Sequence, residues 1–136
     1  MNASVIALVV YVSWMIVLLG ILASLRAGLS LSGKRAPNSF SPDGSDVSSF
    51  SARLCRAHAN CYENFPIIGG LLLLAIATSS TGITDGLAYY LIGARILQSI
   101  IHLISTSNLA VQARFACFAV QLGIAVFWIL QFVKAW

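Results

Sequence analysis

Four apolar stretches separated by polar punctuation organise this chain. Val5–Leu25 carries no charged residue and is as long as the about 20 residues an α-helix needs to cross a bilayer core. A polar connection rich in Ser, Gly and Pro follows, with the turn-forming run Ser41-Pro42-Asp43-Gly44-Ser45-Asp46. The second stretch mixes polar residues (Arg53 to Asn64) with the apolar run Ile67–Ala77 and contains Pro66. Membrane helices tolerate an internal proline because neighbours re-satisfy the freed backbone groups. Short polar breaks at Thr78–Gly86 and Ser105–Asn108 set off two further stretches. The pattern predicts helices at about 4–25, 52–78, 86–106 and 111–134, with a long loop over about 26–51 and Asp85 placed to cap the third helix.

Composition turns these helices into membrane spans. The chain is 59% hydrophobic and 9% charged, against about 25% charged in soluble domains. Mean hydropathy is +0.89. Continuous apolar runs, without strict alternation, exclude a barrel, and lipid offers no partners to an open sheet. The expected fold is an all-α integral membrane four-helix bundle forming one domain over 1–136. Nothing in the sequence suggests a nucleic-acid surface. The first apolar run lacks a basic n-region and reads as a retained helix. Cys55, Cys61 and Cys117 show no metal spacing and read as three reduced thiols. No metal is expected.

Charge adds topology. Arg26, Lys34, Arg35, Arg53 and Arg56, five of the eight Lys and Arg residues, lie between the first and second apolar runs. Arg114 lies beside the last break, whereas the turn between helices two and three holds no basic residue. By the positive-inside rule the long loop is cytoplasmic and both termini are not.

The intramembrane polar residues are the candidate site, since ionisable groups in lipid are costly unless paired or hydrated. At about 100° per residue, Arg53, Arg56, Asn60, Glu63 and Asn64 share one face of helix two, with His58 nearly opposite. Arg95, Gln98, Ser99, His102 and Thr106 form a stripe on helix three. Arg114, Cys117, Phe118 and Gln121 share a face of helix four. Glu63 is placed to pair with Arg95 or Arg56, which would lock helices together. Four arginines then face one glutamate, and surplus cationic charge at low dielectric wants an anion. No Walker loop, G-x-G-x-x-G, H-E-x-x-H or serine elbow is present.

Arg53-x-x-Arg56-Ala57-His58-x-Asn60-x-x-Glu63-Asn64, with Gly93-Ala94-Arg95-Ile96 and Arg114, resembles the helix signatures of the MAPEG family, the membrane-associated proteins in eicosanoid and glutathione metabolism. The resemblance implies a homotrimer of four-helix protomers with glutathione as co-substrate, bound between protomers near the cytoplasmic side. It implies that Arg56, Asn60, Glu63 and Arg95 bind or organise glutathione, with Gln98 and His102 on the same site. It further implies Arg95 as the partner of Glu63, and Arg114 as the catalytic residue that stabilises the thiolate. The chemistry is coherent: arginine forks suit the two carboxylates of glutathione, Glu63 suits its ammonium, and a nearby cation lowers a thiol pKa. Membrane lipid and lipophilic electrophiles or hydroperoxides would be the other partners.

Some positions depart from the prostaglandin E synthase branch. Ala59 stands for an arginine, Gln98 for a histidine, His102 for a tyrosine, and Phe115 and Phe118 for a serine and a tyrosine. A prostaglandin synthase is therefore not expected. The alternatives are a non-catalytic lipid-binding or scaffold member of the same family and, behind it, a small transporter or channel subunit. The polar stripes gather toward one side of the span, which disfavours the last.

Overall fold

The computed structural model describes residues Met1–Trp136. It contains α1 (Ala3–Leu31), α2 (Ser49–Ala77), a 3₁₀ turn (Thr81–Ile83), α3 (Asp85–Ile104) and α4 (Asn108–Ala135). All four helices are long and apolar enough to cross a membrane. α1, α2 and α3 pack on one another, and α4 packs chiefly on α3.

The helices run past their apolar segments because capping, rather than hydrophobicity, ends them. α1 extends through Arg26 to Leu31. It stops where Gly33 adopts φ +78 and the Gly33 and Lys34 amides donate to the carbonyls of Ser30 and Leu29, a glycine-dependent helix stop. The loop is correspondingly shorter than expected, 32–48. α2 begins early because the Ser48 hydroxyl accepts from the Ser51 amide at 3.0 Å. Ser107 does the same for α4 through Ala110 at 3.2 Å. α3 ends at Ile104, so Thr106 lies in the turn and leaves the polar stripe.

Asp85 caps a different helix from the one expected. Its Oδ1 accepts from the Ser4 amide at 2.9 Å and the Ser4 hydroxyl at 2.7 Å, at the start of α1. The carboxylate thus satisfies an orphan N–H of α1 and lies favourably in that helix dipole. Asn2 Nδ2 donates to Thr81 Oγ1 at 3.1 Å nearby. At the opposite end, Arg53 Nε donates to the Leu103 carbonyl at 2.9 Å, tying the start of α2 to an orphan carbonyl in the last turn of α3.

The core is built from Leu18, Leu54, Leu72, Leu91, Tyr11 and Trp128, all fully buried. Tyr11 donates to the Cys61 carbonyl at 2.7 Å and meets the Phe65 ring edge-on at 5.3 Å. Gly69 makes room for that phenylalanine: a Cβ there would lie 2.6 Å from the ring, whereas Gly70 faces open space. Large apolar side chains such as Ile16, Val17, Leu19, Leu130 and Val133 are exposed. Contiguous apolar exposure on this scale suits lipid, not water.

The long loop is ordered by its own contacts. Arg35 Nη2 meets Asp46 Oδ2 at 2.6 Å, the only ion pair in the protein. Asp46 also accepts from the Ser41 amide, and Asp43 accepts from Ser41 Oγ, Ser45 N and Ser45 Oγ. These bonds, led by the Ser41 hydroxyl, hold Asp43 down at a pKa of about 2. Arg35, as hydrogen-bond donor, lowers Asp46. Gly44, at φ +70, sits against Ser51 and Cys55, where a Cβ would come within 2.8 Å.

Candidate functional site

The polar residues of α2, α3 and α4 divide into a buried network and an open cleft. Arg95 is the centre of the network and is 1% exposed. Its Nε donates to Gln121 Oε1 at 2.7 Å, and its Nη2 to Gln98 Oε1 at 2.7 Å. Nη1 donates to Asn60 Oδ1 at 2.7 Å and to the Asn60 carbonyl at 3.1 Å. A guanidinium only donates, so every amide oxygen it meets is fixed as the acceptor end. The amide nitrogens then close the ring. Gln121 Nε2 donates to Gln98 Oε1 at 2.7 Å, and Gln98 Nε2 donates to Asn60 Oδ1 at 3.2 Å. Cys61 Sγ and Ser99 Oγ, 3.2 Å apart, flank the network.

This arrangement corrects the expected Arg95–Glu63 pairing. Arg95 spends its donors on neutral oxygens, and Glu63 makes neither an ion pair nor a hydrogen bond. The physical reason is helical phase. Asn60 lies on the α2 surface turned toward α3, while Glu63, three residues on, is exposed. Gln98 belongs to the buried network and does not line the cleft. Gln121 shares the α4 face of Arg114, but its part in holding Arg95 was missed. An amide at mid-span of an uncharged run, on the same face as Arg114, was the available signal.

The cleft lies on the outer side of the same turn of α2. Arg56, Ala59, Asn60, Glu63 and His102 line a volume of about 250 Å³. Arg56 and Glu63 are exposed and have no hydrogen-bond or ion-pair partner in the chain. Arg114 stands behind His102, with its Nη1 2.7 Å from His102 Nδ1. Arginine has no acceptor, so Nδ1 must accept, and in the neutral ring Nε2 carries the proton. His102 therefore offers an N–H donor from its other edge. Phe115 and Phe118 sit side by side on α4, ring centroids 6.4 Å apart, and supply no hydroxyl. His58 stacks edge-on with Tyr62 at 5.2 Å, away from the cleft.

Arg56, Asn60, Glu63 and His102 are thus brought together, Arg114 is held against the last of them, and Arg95 and Gln98 support Asn60 from behind. Asn60 is the joint between the two parts. Its Oδ1 is saturated by Arg95 and Gln98, which leaves its Nδ2 hydrogens as its remaining polar capacity. The cleft therefore presents several donors and one carboxylate.

These features define a multi-pass membrane protein of four helices with a polar site toward one end of the bundle. Residues 4–134 match the sequence model of the MAPEG family, and the chain belongs to that family. No curated protein and no solved structure matches the chain.

Proposed function

We propose that this MAPEG-family protein binds glutathione in the Arg56–Asn60–Glu63–His102 cleft and uses it to conjugate or reduce lipophilic electrophiles or hydroperoxides. The observation that carries the reading is the pair of unpartnered, oppositely charged side chains, Arg56 and Glu63, in one cleft. A tripeptide with two carboxylates and one ammonium complements them. Arg114 supplies the cation that favours the thiolate, and His102 Nε2–H supplies a hydrogen bond that the phenylalanines of α4 do not. Each unit by which a thiol pKa falls toward pH 7 raises its thiolate fraction about tenfold. Electrophiles dissolved in the bilayer reach the site along the lipid-facing apolar surface.

The same reading includes a homotrimer with the long loop in the cytoplasm and both termini on the other side. About 250 Å³ lies below the about 300–1,000 Å³ of ordinary ligand pockets. A second protomer closing over the exposed Arg56 and Glu63 would enlarge the site and cover both charges. Calorimetry with millimolar glutathione on the detergent-purified protein tests the proposal. Binding is expected, and Glu63→Gln should weaken it at least tenfold. In Arg114→Ala the bound thiol should titrate at higher pH, read from thiolate absorbance. Absence of any binding heat at millimolar glutathione sinks the enzyme reading.

Phe115 and Phe118 favour a second reading, a non-catalytic lipid-binding or scaffold member. A defined lipid copurifying with the protein, together with blank transferase and peroxidase assays, would select it.

A further inference from the structure

Arg26 is a cation without an anion. Its Nη2 donates to the Ser41 carbonyl at 3.1 Å and lies 3.7 Å from Cys55 Sγ, no carboxylate pairs with it, and its Nε is buried with no partner. The loop carboxylates are spent elsewhere: Asp46 on Arg35 and the Ser41 amide, Asp43 on Ser41 and Ser45. A partly dehydrated guanidinium with spare donors is costly unless an acceptor, best a charged one, completes it.

The space beside it suits such an acceptor. Arg26 lines an open cavity of about 530 Å³ together with the polar Ser30 and Asn38 and the apolar Leu31, Pro37 and Phe40. That volume lies within the range of small-ligand sites. No carboxylate lines it. The guanidinium carbons of Arg26 and Arg35 lie 5.7 Å and 5.0 Å from the Phe40 ring centroid, but Arg35 is already paired with Asp46, so Arg26 is the uncompensated cation here. The cavity shares no residue with the Arg56–Glu63 cleft.

Its position selects the source of the anion. The cavity sits where α1 passes from its uncharged run into the polar loop, with Leu31 89% exposed at the helix end. That boundary is the depth of phospholipid phosphates, and basic pockets there recognise anionic head groups. A phosphodiester offers two oxygens to the planar arginine fork, and Leu31, Pro37 and Phe40 in the same lining suit glycerol and the first acyl carbons. We propose that this cavity binds the phosphate of an anionic membrane phospholipid. Arg26 is the principal contact, with Ser30 and Asn38 bonding to the head group.

The test uses the full chain in neutral detergent, titrated with phosphatidylglycerol or phosphatidylcholine and read by native mass spectrometry and by thermal unfolding. Phosphatidylglycerol should bind at least tenfold more tightly, and the preference should shrink with added salt. Asn38→Asp places a carboxylate in the cavity at a side chain that makes no hydrogen bond in the protein. It should lower phosphatidylglycerol affinity at least tenfold with the circular dichroism spectrum unchanged, and Arg26→Gln should do the same. Equal binding of the two lipids, or undiminished binding by Asn38→Asp, would overturn the proposal. So would stabilisation by soluble glycerol phosphate equal to that by the lipid, which would assign the site to a free phosphate.

Discussion

Arg95 and Glu63 can be uncoupled experimentally, because the buried cation is held by amides and not by the carboxylate. Arg95→Met removes four hydrogen bonds to oxygen. Three of them cross between helices; interhelical hydrogen bonds in membrane proteins average about 0.6 kcal/mol each, which puts their gross loss at about 2 kcal/mol. The damage left behind is limited. Asn60 Oδ1 keeps Gln98 Nε2, Gln98 Oε1 keeps Gln121 Nε2, and the Asn60 carbonyl keeps Asn64 Nδ2 at 2.8 Å. Only Gln121 Oε1 is orphaned, at about 1–3 kcal/mol. Against this, removing a dehydrated charge recovers several kcal/mol of desolvation. Arg95→Met should therefore unfold within about 2 kcal/mol of the wild type. Breaking a buried ion pair would cost about 3–5 kcal/mol. The decisive measurement is a double-mutant cycle by denaturant unfolding in detergent. Arg95→Met with Glu63→Gln should be additive to within about 0.5 kcal/mol, and Arg95→Met with Gln121→Leu should couple by about 1 kcal/mol. A coupling above about 1.5 kcal/mol between Arg95 and Glu63 would refute the network as described.

Other substitutions separate scaffold from site. Asp85→Ala should lower stability by about 1 kcal/mol, the worth of a helix cap. Hydrogen exchange should accelerate at the first turn of α1, and unchanged exchange there would contradict the Ser4–Asp85 contact. Asn60→Asp keeps an oxygen facing Arg95 but replaces the remaining donors of Asn60 with an acceptor. The melting temperature should hold or rise while glutathione binding weakens at least fivefold, and a parallel loss of both would refute the division. Loop order should depend on acid. The Asp43 and Asp46 pKa values are both lowered on folding, so their contribution is complete above the unfolded value of 3.8 and is lost as pH falls below it, for Asp43 through about 2. Acid-stable protease digestion should cut 32–48 faster at the bottom of that window, and a flat rate would argue against those bonds.

The helices were legible because lipid imposes a blunt rule: an uncharged run long enough to span must satisfy its backbone internally. Their ends were less legible. Placing the end of α1 at Leu25 equates a change in hydropathy with a change in backbone, whereas the helix continues through Arg26 until Gly33 permits a left-handed residue. Asp85 stands at the start of α3 in sequence yet serves the start of α1, a choice made by tertiary proximity. Helical periodicity correctly put Arg56, Asn60 and Glu63 on one broad face. It did not reveal that the edge of that face passes between Asn60, turned inward, and Glu63, turned outward. A phase difference of that size decides whether Arg95 meets an amide or a carboxylate, and only packing against α3 and α4 sets it.

The surplus of arginine over glutamate, which first pointed to an anionic ligand, resolves into three different situations. Arg53 is spent on a helix-end carbonyl and Arg95 on amides, so neither requires a ligand. Arg56 is unpartnered, and Arg114 is partnered only by a neutral imidazole nitrogen whose acceptance leaves the opposite ring N–H free. The inference from net charge therefore overcounts by two residues, and the chemistry that remains is narrower. Along two turns of α2 stand the guanidinium of Arg56, the amide hydrogens of Asn60 and the His102 N–H, opposed by the single carboxylate of Glu63. Such a donor-rich cleft discriminates by the acceptors a ligand brings: an anion with a detached ammonium satisfies both signs, whereas a neutral lipid leaves Arg56 and Glu63 uncompensated. That asymmetry favours the zwitterionic tripeptide over a purely apolar occupant, even with two phenylalanines beside Arg114.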